Sequence, residues 1–374
     1  MARPLYKMDC HEPARRAPEG NAGLWFDKFC DSWCVDEDSW SLTSNGDDDK
    51  PKLDWIQGIT KRPVGCSSQL REFAIRLLRL IERRAGRAAV FATESRFVTG
   101  LGRSHPVENG FSWHPTLGTP YLPGSSIKGL VRAWAMLDSD TPSVYETVAR
   151  LLGDRDRRTV GSLRFLDAVP VEPVQLEADV MTPHFAGWTE RQPPGDWLSP
   201  TPIPFLTTAA DTRFLFGIVP SRTDGEEDLD TASAWLRAAL CWAGAGAKTA
   251  AGYGRFLHDQ EEEIRWQERL IADEQERQEE RERREAMRSP EGRWRLTLKR
   301  LSEAEILDRI RVHLEKDPIE DPSERAAFAQ AVNSLGLIDH WRRGSTRDAR
   351  TQLGRKRLRE RVRLLDAAFG QRDA

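Results

Sequence analysis

Between Leu70 and Leu257 the apolar residues switch repeatedly between helical and strand spacing, and that alternation restricts the fold more than any single motif. Leu70, Phe73, Ala74, Leu77, Leu80 and Ile81 share one helical face, Gly86 ends that helix, and Ala89 to Val98 alternates as a strand. Ser126 to Leu137 is a helix with Ile127, Leu130, Val131 and Trp134 on its apolar face, followed by a strand at Val160 to Leu166. Val174 to Met181 and Arg213 to Val219 are further strands, and Thr231 to Trp242 is a second helix. Trp134 and Trp242 fall on the helical apolar faces and are assigned to the core. Tyr253 to Leu257 closes the pattern. The order is βαββαβ with an insertion, an α+β, ferredoxin-like (RRM-like) arrangement. The insertion, about Pro183 to Pro204, is dense in proline, glycine and tryptophan and reads as a projecting loop or hairpin.

Four segments are expected. Residues 1–20 are rich in proline and charge and read as disordered. An N-terminal arm then opens with the aromatic cluster Leu24-Trp-Phe-Asp-Lys-Phe29 and Trp33, and leads into a domain that ends near residue 258. Within that arm Ser41 to Lys52 has the composition of an exposed loop. Residues 259–290 are almost wholly Glu, Arg and Gln and read as a solvated helix held by i,i+4 pairs. Residues 291–374 regain helical periodicity through Leu296, Leu298, Leu301, Ile306, Ile310 and Leu314, giving a helical C-terminal module.

Composition excludes several classes. No run approaches 18 uncharged apolar residues and no charged-then-apolar leader is visible, so a cytoplasmic location is expected. Five cysteines in 374 residues make no disulfide framework, and Cys10, His11, Cys30 and Cys34 match no standard zinc spacing, so no metal or other cofactor is expected. The net charge of −3 conceals segregation. Asp31 to Asp54 is acidic, Arg96 to Lys128 and Arg132 is basic, and the last forty residues are rich in arginine, so a basic face for nucleic acid is compatible with the sum.

Two motifs carry chemistry. In Tyr121-Leu-Pro-Gly-Ser-Ser-Ile-Lys-Gly-Leu130 the residues Gly124, Ser125 and Ser126 open a helix, where free N–H groups and the positive end of the dipole, with Lys128 and Arg132 close by, suit a phosphate. In Gly244-Ala-Gly-Ala-Lys-Thr-Ala-Ala-Gly-Tyr-Gly254 the glycines Gly244, Gly246, Gly252 and Gly254 permit close backbone approach to a ligand, and Lys248 and Arg255 add charge. This is not a nucleotide-binding P-loop, because the template laid over Ala247-Lys248-Thr249 puts Trp242 and Ala247 where glycines belong. Trp113 and Tyr253 are candidates for stacking on unpaired bases, with His114 beside the first.

Thr99-Gly-Leu-Gly102, His105-Pro106, Glu108-Asn-Gly-Phe111, Trp113-His114, Thr116-Leu-Gly118, the run from Tyr121 to Gly129, Met181-Thr-Pro-His184 and Gly244 to Phe256 resemble, in order, the RAMP (repeat-associated mysterious protein) superfamily. Within it the similarity is greatest to the sixth subunit of type III-B CRISPR (Cmr) effector complexes. The resemblance implies a non-catalytic structural subunit that holds guide RNA near its 3′ end, with target RNA as a further partner. It implies as partners the backbone RAMP subunit, a small helical subunit and another RAMP subunit. Two alternatives stay open: a metal-independent endoribonuclease processing CRISPR RNA through His105 or His114, and a protein-interaction scaffold built on the charged helix and C-terminal module.

Overall fold

The computed structural model describes residues 20–30, 34–36, 39–42, 50–137, 142–154, 156–183, 200, 202–221, 226–313 and 319–336, and a few positions between 356 and 363. The disorder expected for residues 1–20, the acidic loop around Asn45, most of the 183–204 insertion with His184, and the arginine-rich tail lie outside these residues. The chain divides into two compact units, residues 1–270 and 271–374.

The first unit opens with α1 (Ala22–Lys28), the hairpin β1 (Cys34–Asp36) and β2 (Ser39–Ser41), α2 (Pro51–Thr60) and α3 (Ser67–Arg83). Asn21 caps α1 by accepting the Leu24 N–H, and its own amide donates to Pro115 O, which ties the arm to the body. Trp25 stacks on Trp55 of α2 at 4.2 Å, so the aromatic arm packs as expected. Then follow β3 (Arg87–Thr93), the short pair β4 (Ser104–His105) and β5 (Glu108–Asn109), α4 (Gly124–Met136) and α5 (Pro142–Leu152). β6 (Leu163–Phe165), β7 (Val169–Pro170), β8 (Leu176–Met181), β9 (Ile203–Thr208), β10 (Arg213–Pro220), α6 (Leu229–Ala238), β11 (Phe256–His258) and the part of α7 (Gln260–Arg288) up to Leu270 complete it.

The main sheet is antiparallel in the order β11-β3-β10-β6, with β7 also paired to β10. The strand expected at Val174 to Met181 is not part of it. β8 pairs only with β9, as a separate hairpin that bounds the insertion.

Alternation along β3 and β10 decides what each sheet face meets. Phe91, Phe214, Phe216 and Ile218 lie in a core with Ile127 and Val131 of α4 and Leu229 and Leu236 of α6. Val90 and Leu215, on the other face, pack with Ala74, Ile75 and Leu78 of α3 and with Trp266 and Leu270 of α7. Both faces are therefore covered. The start of the charged helix is a packed element, because Trp266 and Leu270, one turn apart, form a short apolar seam. Asp259 caps it by accepting the Glu262 N–H at 3.0 Å.

In the second unit α8 (Pro290–Leu298), α9 (Glu303–Arg311) and α10 (Pro322–Ser334) enclose Leu298, Ile306, Ile310, Phe328, Ala331 and Val332. Each helix starts on a capping side chain: Ser289, Ser302 with Glu305 in a capping box, and Asp321.

Candidate nucleic-acid interface

After Thr93 the chain leaves the sheet, and Arg96 to Thr99 runs between the two glycine-rich motifs. On one side Gly254 N–H donates to Arg96 O and Ala247 N–H to Val98 O, both at 2.8 Å. On the other, Thr99 Oγ1 donates to Tyr121 O at 3.1 Å, three residues before α4. Motifs more than a hundred residues apart thus border a single four-residue stretch.

The start of α4 is less open than expected. Gly124 N–H donates to Asp167 at 2.7 Å, and the Ser126 and Ile127 N–H groups both donate to Pro123 O. Asp167 supplies the anion that the helix terminus favours, which corrects the expectation of a vacant phosphate cradle at Gly124. Gly124 is required because a side chain there would collide with the backbone at Phe165. Ser125 and Ser126 remain exposed.

Lys128 lies in the second turn of α4, not the first. Burial, then Arg132 nearby, pull its ammonium below the usual lysine range, so it would gain from an anion. Arg132 turns away from a ligand role: its guanidinium donates to Leu152 O at 2.9 Å and Gly153 O at 2.7 Å, the carbonyls that end α5. It is a C-cap, and not the phosphate contact expected.

The glycine-rich loop is folded mainly onto itself. Ala245 N–H donates to Gly254 O at 2.7 Å, and Gly244 packs against the backbone of Tyr253 and Gly254. A side chain at Gly246 would strike Val98 O, and one at Gly254 would strike Ala245 O. These three glycines serve close approach of chain to chain, which corrects their expected role of admitting a ligand. Gly252 differs, since a Cβ there meets nothing within 4 Å. It forms an exposed turn next to Arg255, also exposed.

Lys248 is the unusual residue of this loop. It holds a left-handed backbone at φ 60°, a conformation that costs a non-glycine residue about 1–2 kcal/mol. Its ammonium stands 5.3 Å from the Phe205 ring centre and 3.7 Å from Met181 Sδ, and among the described residues no carboxylate pairs with it. Beside it, Tyr253 donates its hydroxyl to Asp179 at 2.6 Å, and Arg96 donates to Glu177 and Asp179 at 2.6 and 2.7 Å. Burial and the Asp179 bond push the Tyr253 hydroxyl up to about 12. Tyr253 is therefore fixed to the β8–β9 hairpin by its polar end. Arg96, Asp179 and Asp167 carried no local sequence signal, because their partners are distant in the chain.

The remaining candidates are structural. Trp113 is 6% exposed within a cluster containing Phe26 and Phe111, so it is core and not the stacking surface expected. His114 accepts the Leu117 N–H at 3.2 Å and meets Phe73 and Tyr121 edge-on, holding a turn. His105 is stacked on Phe26 at 4.4 Å and hydrogen-bonded to Phe26 O, and burial pulls its imidazole down to about 4. In the opposite direction, Trp242, assigned to the core, is 69% exposed.

Among the described residues no cluster of His, Cys, Asp and Glu suits a metal ion, and no helix is long and apolar enough to cross a membrane.

The RAMP superfamily model matches residues 90–257, the span from β3 through β11. This segment is similar to proteins of that superfamily. Two curated relatives are also similar to this chain. The CRISPR system Cmr subunit Cmr6 of Pyrococcus furiosus is 28% identical over 231 residues, covering 45% of this chain and 66% of that one. Its counterpart from Saccharolobus solfataricus is 29% identical over 168 residues, covering 42% and 51%. The chain thus spans between half and just under two thirds of the length of these relatives. Among solved structures, a Type III-B Cmr-beta complex bound to cognate target RNA contains a chain 24% identical, with a TM-score of 0.46, covering 56% of this chain and 71% of that one.

Proposed function

We propose that this chain is a structural, RNA-holding subunit of a type III-B CRISPR effector complex, gripping the sugar-phosphate backbone of guide RNA by the loops that border Arg96 to Thr99. The observation that carries it is Lys248: a strained backbone and a cation with no carboxylate partner among the described residues, on an aromatic and thioether bed, next to the Ala247 that bonds Val98 between the two motifs. The Cmr6 names of the two curated relatives supply the assembly. The sheet order β11-β3-β10-β6 supports reading the RAMP domain as ferredoxin-like, with α4 and α6 on one face.

The contact set narrows to Ser125, Ser126, Lys128, Lys248, Gly252 and Arg255. Because positive charge and small polar groups predominate in this set, the reading makes binding electrostatic and largely blind to sequence. A cleaving role through His105 or His114 is disfavoured, since one ring is enclosed and the other is committed to a turn. Guide 3′-end placement, with the backbone RAMP subunit, a small helical subunit and another RAMP subunit as neighbours, follows from the likeness to Cmr6.

The test is affinity for labelled single-stranded RNA across a salt series, for wild type and for Lys128→Ala combined with Lys248→Ala. Losing two phosphate contacts lowers the salt slope by about 1.4, with every sequence weakened alike. Unchanged affinity and slope would overturn the reading.

A further inference from the structure

Of the tryptophans among the described residues, Trp242 alone is exposed, while Ala239 and Leu240 of the same π-turn (Ala239–Ala243) are fully buried. The turn that presents it is fixed. Gly244 N–H donates to Ala239 O at 2.9 Å, and Gly244 takes φ 75°, which a side chain would resist. At about 100° per residue Trp242 falls about 120° from Leu236 and about 160° from Leu240, off the apolar face that they share, and the π-turn that carries it is of a kind that recurs at functional sites.

We infer that Trp242 is a stacking platform for an unpaired nucleobase of the RNA whose phosphates Lys128 and Lys248 hold, and this rests on the RNA-holding reading above. The π-turn leads directly into the glycine-rich loop, placing Lys248 six residues on in a segment folded back on itself. It also packs against α4, the helix that bears Lys128. A flat aromatic on a turn that leads into the loop of Lys248 and packs on the helix of Lys128 joins the two features that single-stranded nucleic acid requires, charge for the backbone and a π-face for a base. A protein partner would call for a contiguous apolar patch. Around Trp242 the chain offers Ala243, Gly244, Gly246 and Lys248 instead.

The experiment uses the full chain as wild type, Trp242→Ala and Trp242→Phe. It measures affinity for labelled single-stranded RNA and for an abasic ribose-phosphate oligomer of equal length, each across a salt series. Stacking on one base predicts that Trp242→Ala weakens RNA binding about 5- to 150-fold at an unchanged salt slope. Trp242→Phe should retain most of the affinity, and the abasic oligomer should bind wild type and both variants alike. Because the side chain is exposed, none of these changes should unfold the protein. Wild-type affinity in Trp242→Ala would overturn this inference and leave the RNA-holding reading standing. A lowered salt slope, or an equal loss with the abasic oligomer, would also overturn it, by assigning the effect to phosphate contact or to the fold. Loss of co-purification with a protein neighbour while RNA affinity is intact would reassign Trp242 to protein docking. Absence of RNA binding by wild type would overturn both readings.

Discussion

Replacing Gly246 and Gly252 by alanine, one at a time, separates the glycines that build the loop from the one that faces outward. Both have positive φ, 87° and 92°, so both substitutions incur left-handed strain of about 1–2 kcal/mol. Alanine also restricts the unfolded chain, which returns about 0.4–1 kcal/mol. For Gly252 nothing else changes, because its Cβ direction is empty to 4 Å, and the net loss should be about 1 kcal/mol or less. At Gly246 the new methyl would land on Val98 O and reach Phe97 Cε2 at 2.8 Å. Val98 O is the acceptor for Ala247 N–H, so making room forfeits that bond, about 1–3 kcal/mol where the groups are buried, on top of an overpacking cost of about 1–3 kcal/mol. Gly246→Ala should therefore cost about 3–5 kcal/mol. Denaturant titration followed by far-ultraviolet circular dichroism reads both values. A Gly246→Ala loss within about 1 kcal/mol of the Gly252→Ala loss would refute the assignment of Gly246 to chain packing.

Arg132→Ala should cost about 1.5–3 kcal/mol of stability, from two charge-assisted bonds to the end of α5, and leave the RNA salt slope unchanged; a lowered slope would restore Arg132 to the RNA surface. His105 titrates at about 4 in the folded protein against an ordinary 6.5, so its neutral form stabilises the fold above pH 6.5 and that contribution is lost as pH falls toward 4. The amount is about 3 kcal/mol, and His105→Phe should flatten the fall in the denaturation midpoint over this window, whereas identical pH profiles would contradict the assignment. Tyr253→Phe removes the bond to Asp179 and should cost about 1 kcal/mol; full retention of stability would show that the hydroxyl is not engaged.

Where the sequence carried an undisturbed period, it was read correctly. The α3 helix, strands over the stretches that hold β3 and β10, and the Ile127 and Val131 face of α4 all follow from spacing alone. The failures have particular causes. Pro51 stands at the start of α2 behind a run of polar residues, so that start was assigned to a loop, although proline suits the first turn of a helix. β9 begins Ile203-Pro204 and hid within the proline-rich insertion. Trp242 was assigned to the core although it stands about 120° around the helix from Leu236, off the apolar face. At the candidate site, the sequence located both motifs but not their contents. Glycine signals close approach without saying to what, and at Gly246 and Gly254 the approaching object is the chain's own backbone. Asp167, 43 residues beyond Gly124, fills the helix terminus that looked vacant, and no local pattern announces a partner so far away.

A plate clad on both sides can be grasped, or can grasp, only along its rim. With α4 and α6 over one surface and α3 and the first turns of α7 over the other, this sheet offers a ligand little bare surface, so in the function proposed above its strands serve as a chassis and its loops as fingers. Such a division of labour leaves the fingers open to change in length, charge or reach while the chassis stays as it is.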